Sequence, residues 1–316
     1  MTHADLLLVL LALAFAWSMG AHYTGACMGM PYASGSIRLR PALALMAVFT
    51  LAGATFLSRG VLVHIGHGLL VAPALGAGPA ILILAAAFLL TTLFTQRRIP
   101  TSTIQILVFC VAGVGMALGL AVRWDAILHL AVIWVLAPIV ACLLGFAFTR
   151  LFDALPAFAA AETTGAIGTA LVVVGAAASL TMGANDVSNA TAVFLTTGFS
   201  GPFAAGAIGG VGLAVGVLTW GRPLLERVAF DVVRMDRRMA TAAQLVQALV
   251  VLTAVGFGDF TSMNQALIGA MAGAGLARGR ETVRRPVLAG ILRGWAIGPA
   301  AGFVLGYAFA TGYRLW

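Results

Sequence analysis

The sequence predicts an all-α polytopic membrane protein made of two homologous halves, each with broken or re-entrant helices. Three observations carry this. Of 316 residues, 61% are hydrophobic and 9% charged, with mean hydropathy +1.04, outside the range of soluble domains. The apolar runs are long and uninterrupted, whereas a membrane β-barrel would alternate over short segments. Motifs also recur in the same order at an offset of about 160 residues.

The repeat divides the chain at Leu155-Pro156, into a first half of residues 1–155 and a second of residues 156–316. Ser18-Met19-Gly20-Ala21 corresponds to Thr181-Met182-Gly183-Ala184. Pro100-Thr101-Ser102-Thr103-Ile104-Gln105 corresponds to Phe260-Thr261-Ser262-Met263-Asn264-Gln265. Trp134-Val135-Leu136-Ala137-Pro138 corresponds to Trp295-Ala296-Ile297-Gly298-Pro299. One such match is weak, but three in register are not chance. Paired repeats of this size mark secondary transporters, whose site lies at the repeat interface near the membrane midplane. Each half offers five or six apolar spans, several of them short or interrupted by Gly and Pro. Those are the segments expected to break or re-enter.

The 18 basic residues are all Arg, and the net charge is +8. In a soluble protein that charge would suggest nucleic acid. In this chain the positive-inside rule accounts for it, and no nucleic-acid partner is expected. The densest groups are Arg222, Arg227, Arg234, Arg237 and Arg238, then Arg278, Arg280, Arg284 and Arg285. Both are assigned to cytoplasmic loops of a multi-pass protein of the cell (inner) membrane. Residues 222–238 also hold Glu226, Asp231 and Asp236, which makes them a solvated loop or short amphipathic helix. No basic n-region precedes the first apolar stretch, so that stretch reads as a mature helix. Cys27, Cys110 and Cys142 are isolated and read as packing residues. His64 and His67, at i,i+3, are assigned to an interfacial helix rather than a metal site.

Residues 183–190 read Gly-Ala-Asn-Asp-Val-Ser-Asn-Ala inside an apolar run. A charged side chain at membrane depth costs roughly 2.5–3.5 kcal/mol on insertion scales, so Asp186 is a functional candidate. The glycine and amides suggest that the helix unwinds here. The competing reading is a cap at the membrane surface. In the second shared element, Pro100 suits the first turn of a helix. Ser102, Thr103 and Ser262 then sit among the unpaired N–H groups of helix N-termini. Such termini bind anions, although the same residues serve as ordinary caps.

Residues 183–190 resemble the Gly-Ala-Asn-Asp-Val-Ala-Asn-Ala signature of the inorganic phosphate transporter family. Residues 98–105 and 258–265 resemble its Gly-Leu-Pro-x-Ser-Thr-Thr-His element, and the tryptophan–proline elements fit as well. The resemblance spans nearly the whole chain. It implies inverted repeats, alternating access, and a tetrahedral oxyanion held between two helix termini with Na⁺ or H⁺ coupling. Carried over by position, Asn185, Asp186 and Asn189 serve the anion and the coupling ion. Ser102, Thr103, Ser262 and Asn264 supply neutral donors to the anion. Gln105 and Gln265 stand where the family has His, and they join the coupling-ion set. The first-half signature departs from the family, with His22, Tyr23 and Ala26 replacing Asn, Asp and Asn. Residues 20–41, including Met28-Gly29-Met30-Pro31-Tyr32-Ala33-Ser34-Gly35-Ser36-Ile37-Arg38, resemble the family's sulfate permease branch. Symmetric Na⁺ coordination by both motifs does not follow from this sequence.

The chemistry separates two substrates. A dianion at midplane needs N–H and O–H donors, a co-transported cation, or both. Asp186 can bind Na⁺, carry a proton, or accept a hydrogen bond from a protonated phosphate oxygen. Sulfate has no proton to give, so loss of the first-half Asp moves the site toward sulfate while Asp186 retains phosphate. Phosphate symport is the leading assignment, with sulfate permease the alternative. His22 is either an anion contact or a hydrogen-bonding histidine with no transport role. Gly256-Phe257-Gly258-Asp259 matches the Gly-x-Gly-Asp motif of intramembrane aspartyl proteases, with Asp186 as a possible partner. That motif is short and falls inside a repeat element, so an enzyme is the distant alternative. No cofactor or disulfide is expected. Gly206 to Gly216 permit close helix packing within one protomer or in a homo-oligomer.

Overall fold

The computed structural model describes residues 2–68, 76–231, 235–279 and 285–315. Arg234, Arg280 and Arg284 lie outside the described residues, and the side chains of His64, His67, Arg227, Asp231 and Arg285 are outside them too. The described residues form α-helices and no strand. The first half runs α1 (His3–His22), α2 (Thr24–Ala33), α3 (Leu39–Phe56), α4 (Arg59–Gly68), α5 (Ala77–Gln96), α6 (Thr103–Leu118) and α7 (Trp124–Ala154). A short α8 (Pro156–Thr163) joins the halves. The second half runs α9 (Ala166–Thr196), α10 (Pro202–Trp220), α11 (Arg222–Asp231), α12 (Arg237–Gly256), α13 (Met263–Arg278) and α14 (Arg285–Arg314).

Eight segments among the described residues are long and apolar enough to cross a membrane. They are α1 with α2, α3, α5 and α7 in the first half, and α9, α10, α12 and α14 in the second. Among the described residues the other helices of each half are shorter, α4 and α6 in the first and α11 and α13 in the second. α6 and α13 have 16 residues each, about 24 Å at 1.5 Å per residue, against a hydrocarbon core of about 30 Å.

α6 and α13 are re-entrant. Ser18 and His22 on α1 bond Thr92 and Thr95 on α5, so α1 and α5 run the same way. α6 then turns back. Ala117 near its end accepts from Arg314, and the neighbouring Tyr313 packs on Gly78 at the start of α5. In the second half Arg278, the last residue of α13, pairs with Asp236, the N-cap of α12, at 3.1 Å. The turns into the short helices match as well. Arg98 (φ 54°) and Gly258 (φ 76°) occupy equivalent left-handed positions. Ile99 N–H then bonds Phe94 C=O as Asp259 N–H bonds Ala254 C=O, the 6→1 closure of a helix C-terminus.

The repeats are inverted. Cys27 meets the Ala178 carbonyl, Pro31 meets Gly175 and Ser36 meets Gly168. α9 therefore runs antiparallel to α2 and to the span that α1 and α2 form. α1 and α9 are the sequence equivalents, so equivalent elements point in opposite directions.

Glycine lets the halves interlock. A Cβ on Gly20 would sit 2.0 Å from the Leu213 carbonyl oxygen, and one on Gly183 would sit 2.0 Å from that of Thr50. Each equivalent position thus presses α1 or α9 onto a helix of the other half. This corrects one expectation. α9 is continuous through residues 183–190 and does not unwind there. Gly183 serves a close helix approach, and Asn185 pairs both ends of its amide with Thr261 outside α9. The break falls in the first half, at Tyr23 between α1 and α2. The glycines of 206–216 likewise pack within the chain, against α1, α3 and α9.

One ion-pair cluster ties the halves at a single face. Arg238 pairs with Glu162 and Asp153, and Arg278 pairs with Asp153 and Asp236. Arg237 donates to the Ser34 carbonyl. Arg237, Arg238 and Arg278 thus gather beside the ends of α2 and α7, while Arg222 pairs with Glu226 on its own helix.

Gly183→Ala should destabilise the protein by about 1–3 kcal/mol or block its assembly, because backbone must move. Gly290→Ala meets nothing within 4 Å and should be neutral or slightly stabilising. Melting of the two variants in detergent checks the contrast.

Candidate functional site

The N-termini of α6 and α13 meet where the halves interlock. Ser102 and Ser262 are the N-caps, accepting from the N–H groups of Gln105 and Gln265 at 3.4 and 3.3 Å. Pro100 lies before the cap and not in the first turn, because the cap falls at Ser102. Gln105 and Gln265 bond each other reciprocally, at 3.4 and 3.3 Å. Two first turns with N–H groups that α-helix geometry leaves unpaired therefore face one centre from opposite repeats.

α9 lays its motif across this junction. Asn185 Nδ2 donates to the Thr261 carbonyl at 2.9 Å, and Asn185 Oδ1 accepts the Thr261 N–H at 3.2 Å. The same Nδ2 lies 3.1 Å from Asp186 Oδ2. Asn189 Nδ2 lies 3.4 Å from Asp186 Oδ1 and 3.5 Å from Thr103 Oγ1. Asp186 is 0% exposed. Its carboxylate is met by amide N–H groups of Asn185 and Asn189. The Tyr23 hydroxyl bonds Thr103 Oγ1 at 2.8 Å. Thr103, Tyr23, Asn189 and Asp186 are thus one linked polar group in an otherwise apolar interior.

His22 has settled partners. Its Nδ1 lies 2.8 Å from Thr95 Oγ1, which donates its only proton to the Thr91 carbonyl. This assigns the proton to Nδ1, so that Nε2 accepts the Thr101 N–H at 3.1 Å; Nε2 also lies 3.2 Å from the Thr101 carbonyl oxygen and 3.4 Å from Thr101 Oγ1. The Thr101 carbonyl is taken by Asn264 Nδ2 at 2.7 Å. The structure thus brings all ten expected site residues to one junction, but His22 and Asn264 face the backbone before α6.

Asp259, the acid of the protease-like motif, lies apart from Asp186 in its bonding. Its Oδ1 is 3.5 Å from His129 Nε2 on α7, while Asp186 is held by Asn185 and Asn189. The two carboxylates do not share a hydrogen bond. The cysteines are free thiols, with Cys27 and Cys110 buried and Cys142 half-buried.

Sequence reasoning missed several residues around the junction. Thr95 orients His22. Gln244 and Gln247 on α12 are buried and bonded to each other; Gln244 reaches the Ala26 carbonyl at 2.8 Å and Gln247 that of Met263 at 3.5 Å. The available signal was two glutamines at i,i+3 inside an apolar helix, where an unpaired amide is costly.

The model of the phosphate transporter family matches the chain twice, over residues 19–164 and 156–306. The chain belongs to the phosphate transporter family. It is 24% identical to a putative phosphate permease of Pyrococcus furiosus, over 96% of this chain and 95% of that protein. It is 28% identical to a sulfate permease of Bacillus subtilis, over 97% and 87% respectively. It is also 28% identical to a probable low-affinity inorganic phosphate transporter of Mycobacterium bovis, over 96% and 76%. The solved structure of a sodium-dependent phosphate transporter matches with a TM-score of 0.90 at 20% identity, covering 99% of this chain and 100% of that one. At that identity the likeness is one of fold. As a family member the chain is a membrane transporter related to phosphate carriers, with a sulfate permease among its relatives.

Asn185→Leu keeps the volume but leaves the Thr261 N–H and carbonyl unpaired. Each such group costs about 1–3 kcal/mol. Thermal unfolding in detergent should drop clearly, and by more than in Thr197→Ala, a substitution at the C-cap of α9 that loses only a bond to the last turn of that helix.

Proposed function

We propose that this protein is a secondary active transporter of inorganic phosphate, coupled to Na⁺ or H⁺ and working by alternating access in the cell (inner) membrane. The observation that supports it best is the meeting of two re-entrant helix N-termini, one from each inverted repeat, beside a buried carboxylate. Each terminus offers N–H groups and the positive end of a helix dipole to an oxyanion. Ser102, Thr103, Ser262 and the facing Gln105 and Gln265 add neutral donors.

Among the described residues no Arg side chain belongs to the junction, so a dianion is best served by a counter-charge that arrives with it. Asp186 supplies the place for it, as a ligand of Na⁺ or as the carrier of a proton. Asn189 Oδ1 is a buried acceptor without a hydrogen-bond partner among the described residues, and an incoming cation gives it one. The fold shared with a sodium-dependent phosphate transporter favours Na⁺. A phosphate that keeps one proton can also donate to Asp186, which is why phosphate leads.

Sulfate is the second reading, and Tyr23 favours it. The first half presents a hydroxyl donor where the second presents Asp186, and a fully ionised anion gains from a donor and loses from a second carboxylate. The relative named as a sulfate permease supports the same reading.

Uptake of labelled phosphate and sulfate into proteoliposomes, with and without Na⁺ and a pH gradient, tests both. Phosphate uptake that falls at least tenfold in Asp186→Asn and in Ser102→Ala supports the phosphate reading. Sulfate uptake that tolerates Asp186→Asn transfers the protein to the sulfate reading. Uptake of neither anion under any gradient would overturn both.

A further inference from the structure

The two re-entrant loops are held differently, and the difference is compensated across the repeats. At Thr261 one side chain does both jobs: Asn185 accepts the N–H and donates to the carbonyl. At Thr101 the equivalent residue is His22. A neutral imidazole has one donor and one acceptor nitrogen, and Thr95 takes the donor. His22 Nε2 lies 3.1 Å from the Thr101 nitrogen and 3.2 Å from its carbonyl oxygen, and in the tautomer with Nδ1–H toward Thr95 it accepts the N–H and has no proton for the carbonyl. That carbonyl is instead bonded by Asn264 Nδ2, at 2.7 Å, from the other half. The equivalent of Asn264 in the first half is Ile104, which has no donor to offer Thr261 and needs none.

We propose that His22 and Asn264 are positioning residues that form one split clamp on Thr101, in which Asn264 does the job that histidine cannot do and an amide at position 22 would. The clamp holds the N-terminus of α6 at the junction, and its two parts belong to different halves. Its bearing on anion binding rests on the proposed transport reading; its existence does not. Gln at position 22 has the reach of the imidazole Nε2 and both faces of an amide, as Asn185 has. It should therefore take over the Thr101 carbonyl and make Asn264 dispensable.

Hydrogen–deuterium exchange of the purified protein tests the clamp without reference to any anion. In Asn264→Ile, exchange over residues 97–106 should rise roughly tenfold, the effect of unpairing a buried backbone group. Exchange over residues 257–266 should stay as in the unchanged protein, because Asn185 still holds Thr261. His22→Phe, which keeps the ring and loses both nitrogens, should behave like Asn264→Ile. In the double variant His22→Gln/Asn264→Ile, exchange over 97–106 should return to within about twofold of the unchanged protein. Failure of Asn264→Ile to raise exchange, or a double variant that exchanges as fast as Asn264→Ile alone, would overturn the proposal. If His22→Phe does not fold, the Asn264→Ile pair with and without His22→Gln decides.

Uptake separates this proposal from the transport reading. The anion concentration at half-maximal uptake should rise in Asn264→Ile and recover in the double variant. An intact exchange pattern in a protein that moves neither phosphate nor sulfate would leave the clamp standing and remove the transport reading.

Discussion

A backbone that leaves its helix inside an apolar layer must find partners in the protein, and this requirement organises the molecule. At membrane depth an unpaired N–H or C=O costs several kcal/mol. The chain opens its backbone at two such places, before α6 and before α13. Both openings are closed by side chains from the helices that carry the Gly-Ala-x-x motif: His22 at Thr101 and Asn185 at Thr261. Ser102 and Ser262 then cap the new helices. The same groups that close the backbone thus aim two helix termini at one point, and no separate scaffold is required for the site.

The inverted repeat makes this closure possible. Gly20 and Gly183 bring α1 and α9 against helices of the opposite half with no side chain between. At that spacing a motif on one helix reaches the loop before the short helix of its own half and the polar group of the other. Thr103 shows the result, since Tyr23 approaches it from the first half and Asn189 from the second. Transport by rocking one repeat on another fits this arrangement, because the site belongs to neither half alone.

The degenerate first motif retains part of its work. His22 still closes the backbone at Thr101, as Asn185 does at Thr261, but only halfway. Tyr23 places a hydroxyl, bonded to Thr103 Oγ1, where the second motif has the carboxylate of Asp186, and leaves no hole. Ala26 offers no polar atom, and Gln244 on α12 bonds the carbonyl of that same residue. The Thr101 carbonyl is bonded by an amide of the other half, that of Asn264.

The sequence by itself determined the membrane class, the two halves, and the short elements that re-enter. These rest on hydropathy and repetition, which are properties of the chain read in order. It also marked Asp186, because a carboxylate is conspicuous where each polar atom is costly. It misplaced the break, assigning it to residues 183–190 when it falls at Tyr23. Asn and Gly favour unwinding locally, and only the tertiary structure shows that Asn185 spends its amide on Thr261 and leaves α9 whole. The opposite directions of α1 and α9, the meeting of Gln105 with Gln265, and the pairing of Asn264 with Thr101 were decided in the same way. Each is a contact between residues far apart in the chain, set by how helices pack against one another, and no local pattern encodes it.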